Sequence, residues 1–235
     1  MLAADLRELV AYLCRTLYEV MPRMMPRLFP VGCSIGAAVL WTYVELFGDD
    51  FAGFVFVDQA PLRDRSTFGG WDERNAHRGC YYEKTLLAAQ EAWVSRPAEA
   101  HRALVQECLD YRHMPLPRDG VSEEQARKDE ELFVGISALC DGEWLARLMA
   151  DHTRYDHREA IELISKPTLG MAGKRSGCFT LLGIAETVER IRWGLNIMVS
   201  SAEIVVFDSG YWLFYEEPKR FNRELLAFAE RCIKR

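Results

Sequence analysis

Five consecutive residues, Gly32-Cys33-Ser34-Ile35-Gly36, set a serine between two glycines, each two positions away. That spacing suits attack by a hydroxyl on an acyl carbon. In a G-x-S-x-G turn between a strand and a helix, the serine is held in a strained backbone conformation with its side chain clear of the sheet. The glycines let the two arms of the turn pass closely. The hydroxyl then lies at a helix N-terminus, where the N–H of Ile35 can donate to a developing oxyanion. Three fixed positions recur by chance in roughly one chain in ten of this length. The context adds weight: an apolar stretch from Leu28 to Cys33 precedes the turn, and a helical pattern from Ser34 to Phe47 follows it, closed by Gly48.

Hydroxyl attack also needs a base and a group that orients the base. Histidine occurs at 77, 101, 113, 152 and 157 and nowhere later. His152 and His157 stand in a DHTRYDH stretch. A five-residue step puts them about 140° apart on a helix, whereas metal-binding pairs use a four-residue step on one face. They are expected to be structural. Asp58 and Asp208 each follow an apolar run and suit turn capping. Tyr211, Trp212, Phe214 and Tyr215 form an aromatic run that either lines a pocket or packs the last loop. Arg23 and Arg27, among Met21, Met24 and Met25, read as a solvated connector.

The elements that must position these residues follow from periodicity. Leu2, Leu6, Leu9, Val10, Leu13 and Leu17 recur at helical spacing, with Asp5, Arg7, Glu8 and Arg15 between them. Pro22, Pro26 and Pro30 interrupt the next stretch, and Pro30 is a poor residue for a central strand. Phe54 to Asp58 (FVFVD) is a continuous apolar run, the mark of a strand covered on both faces. From 63 to 164 four helices and no strand are expected. They lie near Glu83–Val94, from Pro97 to about Tyr111, from Ser122 with Gln125 at capping-box spacing, and around Trp144, Leu145 and Leu148. A strand at Pro167–Ala172, a helix at Ile184–Trp193, a strand at Glu203–Phe207 and a helix at Pro218–Ile233 complete the chain. This alternation specifies an α/β fold with a parallel sheet.

Composition narrows the function classes. The chain has 235 residues, a net charge of -6 and 49% hydrophobic residues, which is ordinary globular composition. An acidic balance argues against nucleic acid as partner. Cys14, Cys33, Cys80, Cys108, Cys140, Cys178 and Cys232 form no CxxC, so reduced, scattered thiols fit better than a zinc site or a disulfide framework. Asp5, Arg7 and Glu8 break any signal-peptide stretch, and no apolar run is long enough to span a membrane. A soluble, cytoplasmic protein with no membrane partner is expected.

Four segments resemble the α/β-hydrolase superfamily, in particular its esterase- and haloperoxidase-like serine hydrolases. GCSIGAAVLW resembles the nucleophile elbow and its helix, and FAGFVFVDQAPL the next strand and the turn into a helical lid. SKPTLGMAGKRSG resembles the strand before the catalytic acid, and AEIVVFDSGYWLFYEEPKRFNRELLAF the last strand, histidine loop and closing helix. The implied fold is a partial α/β-hydrolase sheet of about four parallel strands. Residues 1–62 and 165–235 would form its core, with 63–164 as a helical lid insertion. The resemblance begins late in the family's fold, whose complete members have several strands before the elbow. It therefore implies an N-terminally truncated member, with Met1 an internal methionine or a gene-model start.

Carried over position by position, the resemblance makes Ser34 the nucleophile, Ile35 an oxyanion donor and Gly32 and Gly36 the elbow glycines. The acid position, three residues after Gly173, is Ser176, and the base position after Ser-Gly is Tyr211. Serine carries no charge to stabilise an imidazolium, and tyrosine titrates near pH 10. Asp58 is the alternative acid, since some members place theirs after that strand. The ancestral reaction is serine-nucleophile hydrolysis of an ester or similar small acyl substrate, without metal or organic cofactor, and it is expected to be impaired here. The alternative is an inactive pseudo-hydrolase that binds a small apolar ligand or a protein partner. The absent strands leave the edge at Cys33 open, which predicts homo-oligomerisation or poor solubility.

Overall fold

A computed structural model describes residues 1–20, 27–62, 83–113, 120–194 and 202–234. Cys80, His77, Arg23 and the methionines at 21, 24 and 25 lie outside the described residues. Four strands, β1 (Val31–Cys33), β2 (Phe54–Val57), β3 (Thr168–Gly173) and β4 (Ala202–Phe207), form one parallel sheet in the order β1-β2-β3-β4. The register pairs Cys33 with Val57, Val57 with Met171, and Gly173 with Phe207, so the C-terminal ends of the strands align at one edge of the sheet.

Helices cover both faces, and alternation along the strands decides which side chain goes where. Phe54 and Phe56 of β2 join a core with α1 (Leu2–Val20), α2 (Ile35–Phe47), α8 (Arg158–Ile161) and α9 (Leu181–Arg192). Val55 and Val57 point to the opposite face, with Leu169 and Met171 of β3. There they meet Leu213 of α10 (Leu213–Glu216) and Phe228 of α11 (Pro218–Ile233). All four β2 side chains are therefore buried, as the uninterrupted FVFV run requires. Each large apolar side chain so buried contributes roughly 1.5–3 kcal/mol.

Among the described residues the region between β2 and β3 is mostly helical. It holds α3 (Glu83–Ser95), α4 (Pro97–Cys108), α5 (Asp110–His113), α6 (Glu123–Ser137) and α7 (Gly142–Arg154). Ser122 caps α6, its Oγ accepting from the Gln125 N–H, and Asp141 caps α7. Residues 156–164, grouped with the insertion on sequence grounds, pack instead in the sheet's core. There Ala160, Ile161 and Ile164 are buried, and the His157 N–H donates to the Pro61 carbonyl.

Two expected strands are shorter. β1 starts only at Val31, because Pro30 has no N–H to give a ladder, although its carbonyl still accepts from the Val55 N–H. Asp58 lies beyond β2, its φ of 47° taking it out of the strand. Among the described residues β1 pairs with β2 alone and Val31 is 45% exposed. No described helix is long and apolar enough to cross a membrane.

Candidate functional site

Ser34 stands between β1 and α2 with φ 55° and ψ -123°, a conformation L-residues rarely adopt. A serine at a helix N-cap ordinarily bonds the helix's own N–H groups, but the Ser34 side chain makes no such bond. Its backbone does the holding: the Ser34 N–H donates to the Val57 carbonyl, and its own carbonyl accepts from Ala37 and Ala38. The hydroxyl is left for other partners. Ile35 opens α2, so its N–H belongs to the first turn, whose donors have no acceptor inside the helix.

Gly32 and Gly36 are not equivalent. A Cβ on Gly32 would lie 2.7 Å from the Ala37 nitrogen and from the Gly36 carbonyl, so only glycine fits. A Cβ on Gly36 would meet nothing within 4 Å. The expectation that both glycines allow close passage therefore holds for Gly32 alone. Gly36 contributes its backbone, against which Gly32 packs.

Tyr211 reaches this serine. The Ser34 hydroxyl lies close enough to the Tyr211 phenol to hold the phenol's pKa down, and the phenol does the same to the Cys33 thiol. The Tyr211 N–H donates to the Cys108 carbonyl, fixing the loop after β4 to the end of α4. Burial, then the neighbouring thiols of Cys33, Cys178 and Cys108, push the phenol well above its ordinary value, and the Ser34 hydroxyl offsets this only in part. Burial and the Asp58 carboxyl push the Cys33 thiol up to about 12. Cys33, Cys108 and Cys178, far apart in sequence, thus share one cluster with Tyr211, Ala60 and Phe179.

The acid position and the alternative acid are also brought together. Ser176 Oγ donates to Asp58 Oδ1 at 2.8 Å, and the Gly173 N–H donates to Asp58 Oδ2 at 2.6 Å. Ser176 Oγ accepts in turn from the N–H groups of Cys178 and Phe179. Asp58 therefore ties two strand ends together, where turn capping was expected. Complete burial pushes its carboxyl well above the usual carboxylate range, against the two hydrogen bonds it receives, and Glu216 adds to the rise. Burial similarly lifts Glu216 to about 7, although the N–H groups of Gly210 and Asp110 donate to it. Asp208 does not cap its turn. It pairs with Arg175 at 2.7 Å, and Arg175 also pairs with Asp110.

Other candidates are packed into the fold. His157 is buried against Trp41 and Tyr155, with ring centroids at 5.3 and 5.5 Å, and burial lowers its pKa to about 4. His101 packs edge-on against Trp93. Trp212 stacks on Phe133, and the Tyr215 hydroxyl donates to Asp129 Oδ1 at 2.6 Å, so the aromatic run packs the last loop against α6. Arg27 is no free connector: its guanidinium donates to the Ile233 carbonyl at 2.8 Å, at the C-terminal end of α11. Among the described residues no group of three or more His, Cys, Asp or Glu side chains is arranged to hold a metal ion.

No family model matches the chain, and no curated protein matches it. Solved structures do. The esterase from Exiguobacterium antarcticum superposes with a TM-score of 0.70 at 16% identity, covering 97% of this chain and 72% of that one. The bromoperoxidase from Bacillus anthracis gives 0.69 at 16% identity, covering 92% and 71%. A thermophilic esterase from Thermogutta terrifontis gives 0.66 at 16% identity, covering 95% and 70%. At these identities the likeness establishes the fold: the four strands and their helices are an α/β-hydrolase fold.

Proposed function

We propose that, on this α/β-hydrolase fold, the chain is a serine-hydrolase scaffold in which attack by Ser34 on an ester or similar small acyl substrate is impaired. The buried Tyr211 phenol beside Ser34, at the position where a base would stand, carries the reading. A phenol raised above its ordinary value keeps its proton at neutral pH, so its oxygen can accept a hydrogen bond from the Ser34 hydroxyl but cannot take that proton away. Asp58 and Ser176 satisfy each other, which leaves no carboxylate committed to orienting a base. What remains is the turn, the half-buried serine and the Ile35 N–H, features worth a residual rate but not full turnover.

Hydrolysis of p-nitrophenyl acetate tests this in three proteins. The wild type is expected to match Ser34→Ala, and Tyr211→His combined with Ser176→Asp to exceed both by about 100-fold or more. Wild-type turnover of about 1 per second or faster that Ser34→Ala abolishes would refute the impairment.

The second reading is an inactive pseudo-hydrolase that binds a small apolar ligand. A thermal-shift screen with hydrophobic compounds is then expected to find a stabiliser, and a flat screen counts against it. The free edge of β1 supports pairing with a second copy. Light scattering should give twice the 27.0 kDa chain mass, and a stable monomer would oppose that pairing.

A further inference from the structure

Cys108 ends α4 in the helical insertion, and Cys178 lies in the loop after β3, seventy positions later. Their sulfurs are 3.7 Å apart in the structure. The two backbones run side by side immediately before them, where the Gly177 N–H donates to the Glu107 carbonyl at 3.2 Å. Both cysteines are free and buried, packed with Ala60, Ala172, Phe179 and Tyr211. A disulfide needs the sulfurs about 2.05 Å apart, so about 1.7 Å separates the observed contact from a bond.

We propose that Cys108 and Cys178 are a modification site: a redox-reversible disulfide that fastens the helical insertion to the sheet beside Ser34. The oxidant class is a hydroperoxide, small enough to enter a buried site on local opening. The Cys178 sulfur, as thiolate, attacks one peroxide oxygen. The O–O bond breaks, a sulfenic acid forms, and hydroxide leaves and takes up the thiol's proton as water. The Cys108 sulfur then attacks the sulfenic sulfur. The S–S bond forms, the S–O bond breaks and a second water leaves. Two thiols lose two electrons in all, and hydrogen peroxide gains them to become two waters.

The bond's consequence follows from what its ends hold. The Cys108 carbonyl accepts from the N–H groups of Tyr211 and Trp212. The Cys178 N–H donates to Ser176 Oγ. The cross-link therefore fixes the loop that carries Tyr211 and the loop that carries Ser176 against the same point of α4. It rests on thiol geometry and stands whether or not Ser34 reacts.

The 235-residue chain, treated with hydrogen peroxide, alkylated with N-ethylmaleimide and digested without reductant, is read by mass spectrometry. The expected product is a peptide pair joining Cys108 to Cys178, two hydrogens lighter than its parts and released by dithiothreitol. The oxidised protein should melt about 5–10 °C higher, because closing a long loop restricts the unfolded chain. Dithiothreitol should reverse this rise, and peroxide-treated Cys178→Ala should not show it. A map with both cysteines alkylated or over-oxidised overturns the proposal. So does a main product joining either one to another cysteine, and so does a link that leaves the melting temperature unchanged or lower.

Discussion

Two halves of the site meet at Ser34 and are held by different physics. On the side of β1 and α2 the backbone does the work. Ser34 sits at φ 55°, and Gly32 leaves no room for a Cβ beneath the first turn of α2. On the side of the loops after β3 and β4 the side chains are those of a packed interior. The Tyr211 phenol faces Ser34 and Cys33, and Ser176 bonds Asp58. The contrast teaches that a turn built from packing is protected by the fold's own stability, whereas on the proposed reading a base would be protected only by the need for its chemistry.

The comparison breaks most visibly at the glycines. A Cβ on Gly173 would run into the Gly210 carbonyl, and one on Gly32 into α2. Gly173→Ala and Gly32→Ala should each destabilise by about 3–5 kcal/mol in chemical denaturation. Gly36→Ala, with open space at its Cβ, should cost under about 1 kcal/mol. Equal effects at Gly32 and Gly36 would erase the distinction between them.

The histidine on the elbow's side gives the next largest effect. His157 has a folded pKa of about 4 against an ordinary 6.5, so the unfolded chain takes up its proton first. Its contribution is whole above pH 6.5 and is lost as pH falls towards 4, by about 3 kcal/mol in total. Subtracting the pH–stability curve of His157→Gln from that of the wild type should isolate this loss. A difference centred near pH 7 would mark His157 as a poised base instead of a buried neutral ring. Glu216 works in the opposite sense: its raised pKa of about 7 costs stability as pH rises from 4.5 to 7.

Smaller effects sharpen the phenol's role. Tyr211→Phe removes the hydroxyl that faces Ser34 and Cys33 and keeps the ring, so a loss of about 1 kcal/mol is expected in urea. Ser34→Gly should be more stable than Ser34→Ala by about 1 kcal/mol, because both lack the hydroxyl and only glycine is at ease at φ 55°. Equal stabilities would mean that the turn stores no strain.

The strand-helix alternation, the glycine-flanked serine and the Ser122 cap were legible in the sequence because each is local. FVFV announced a strand buried on both faces without help from its partners. The rest depended on distance. Cys33, Cys108 and Cys178 converge only because the end of α4 lands beside two strand ends, and no spacing rule joins positions so far apart. The Asp58–Ser176 bond spans 118 positions, and Arg27 reaches 206 positions to the end of α11. The four-residue helix α10 offers too few residues for a period to show. Pro30 did leave a readable sign, and β1 begins directly after it.

The central claim is that Ser34 keeps its place and has lost its base. Its most direct test is the rate at which a fluorophosphonate labels Ser34 at neutral pH, measured by peptide mapping in wild type and in Tyr211→His. The account predicts no Ser34 adduct above background in the wild type and an adduct that forms at least about 100-fold faster in Tyr211→His. Rapid wild-type labelling at Ser34, unchanged or slowed by Tyr211→His, would contradict it.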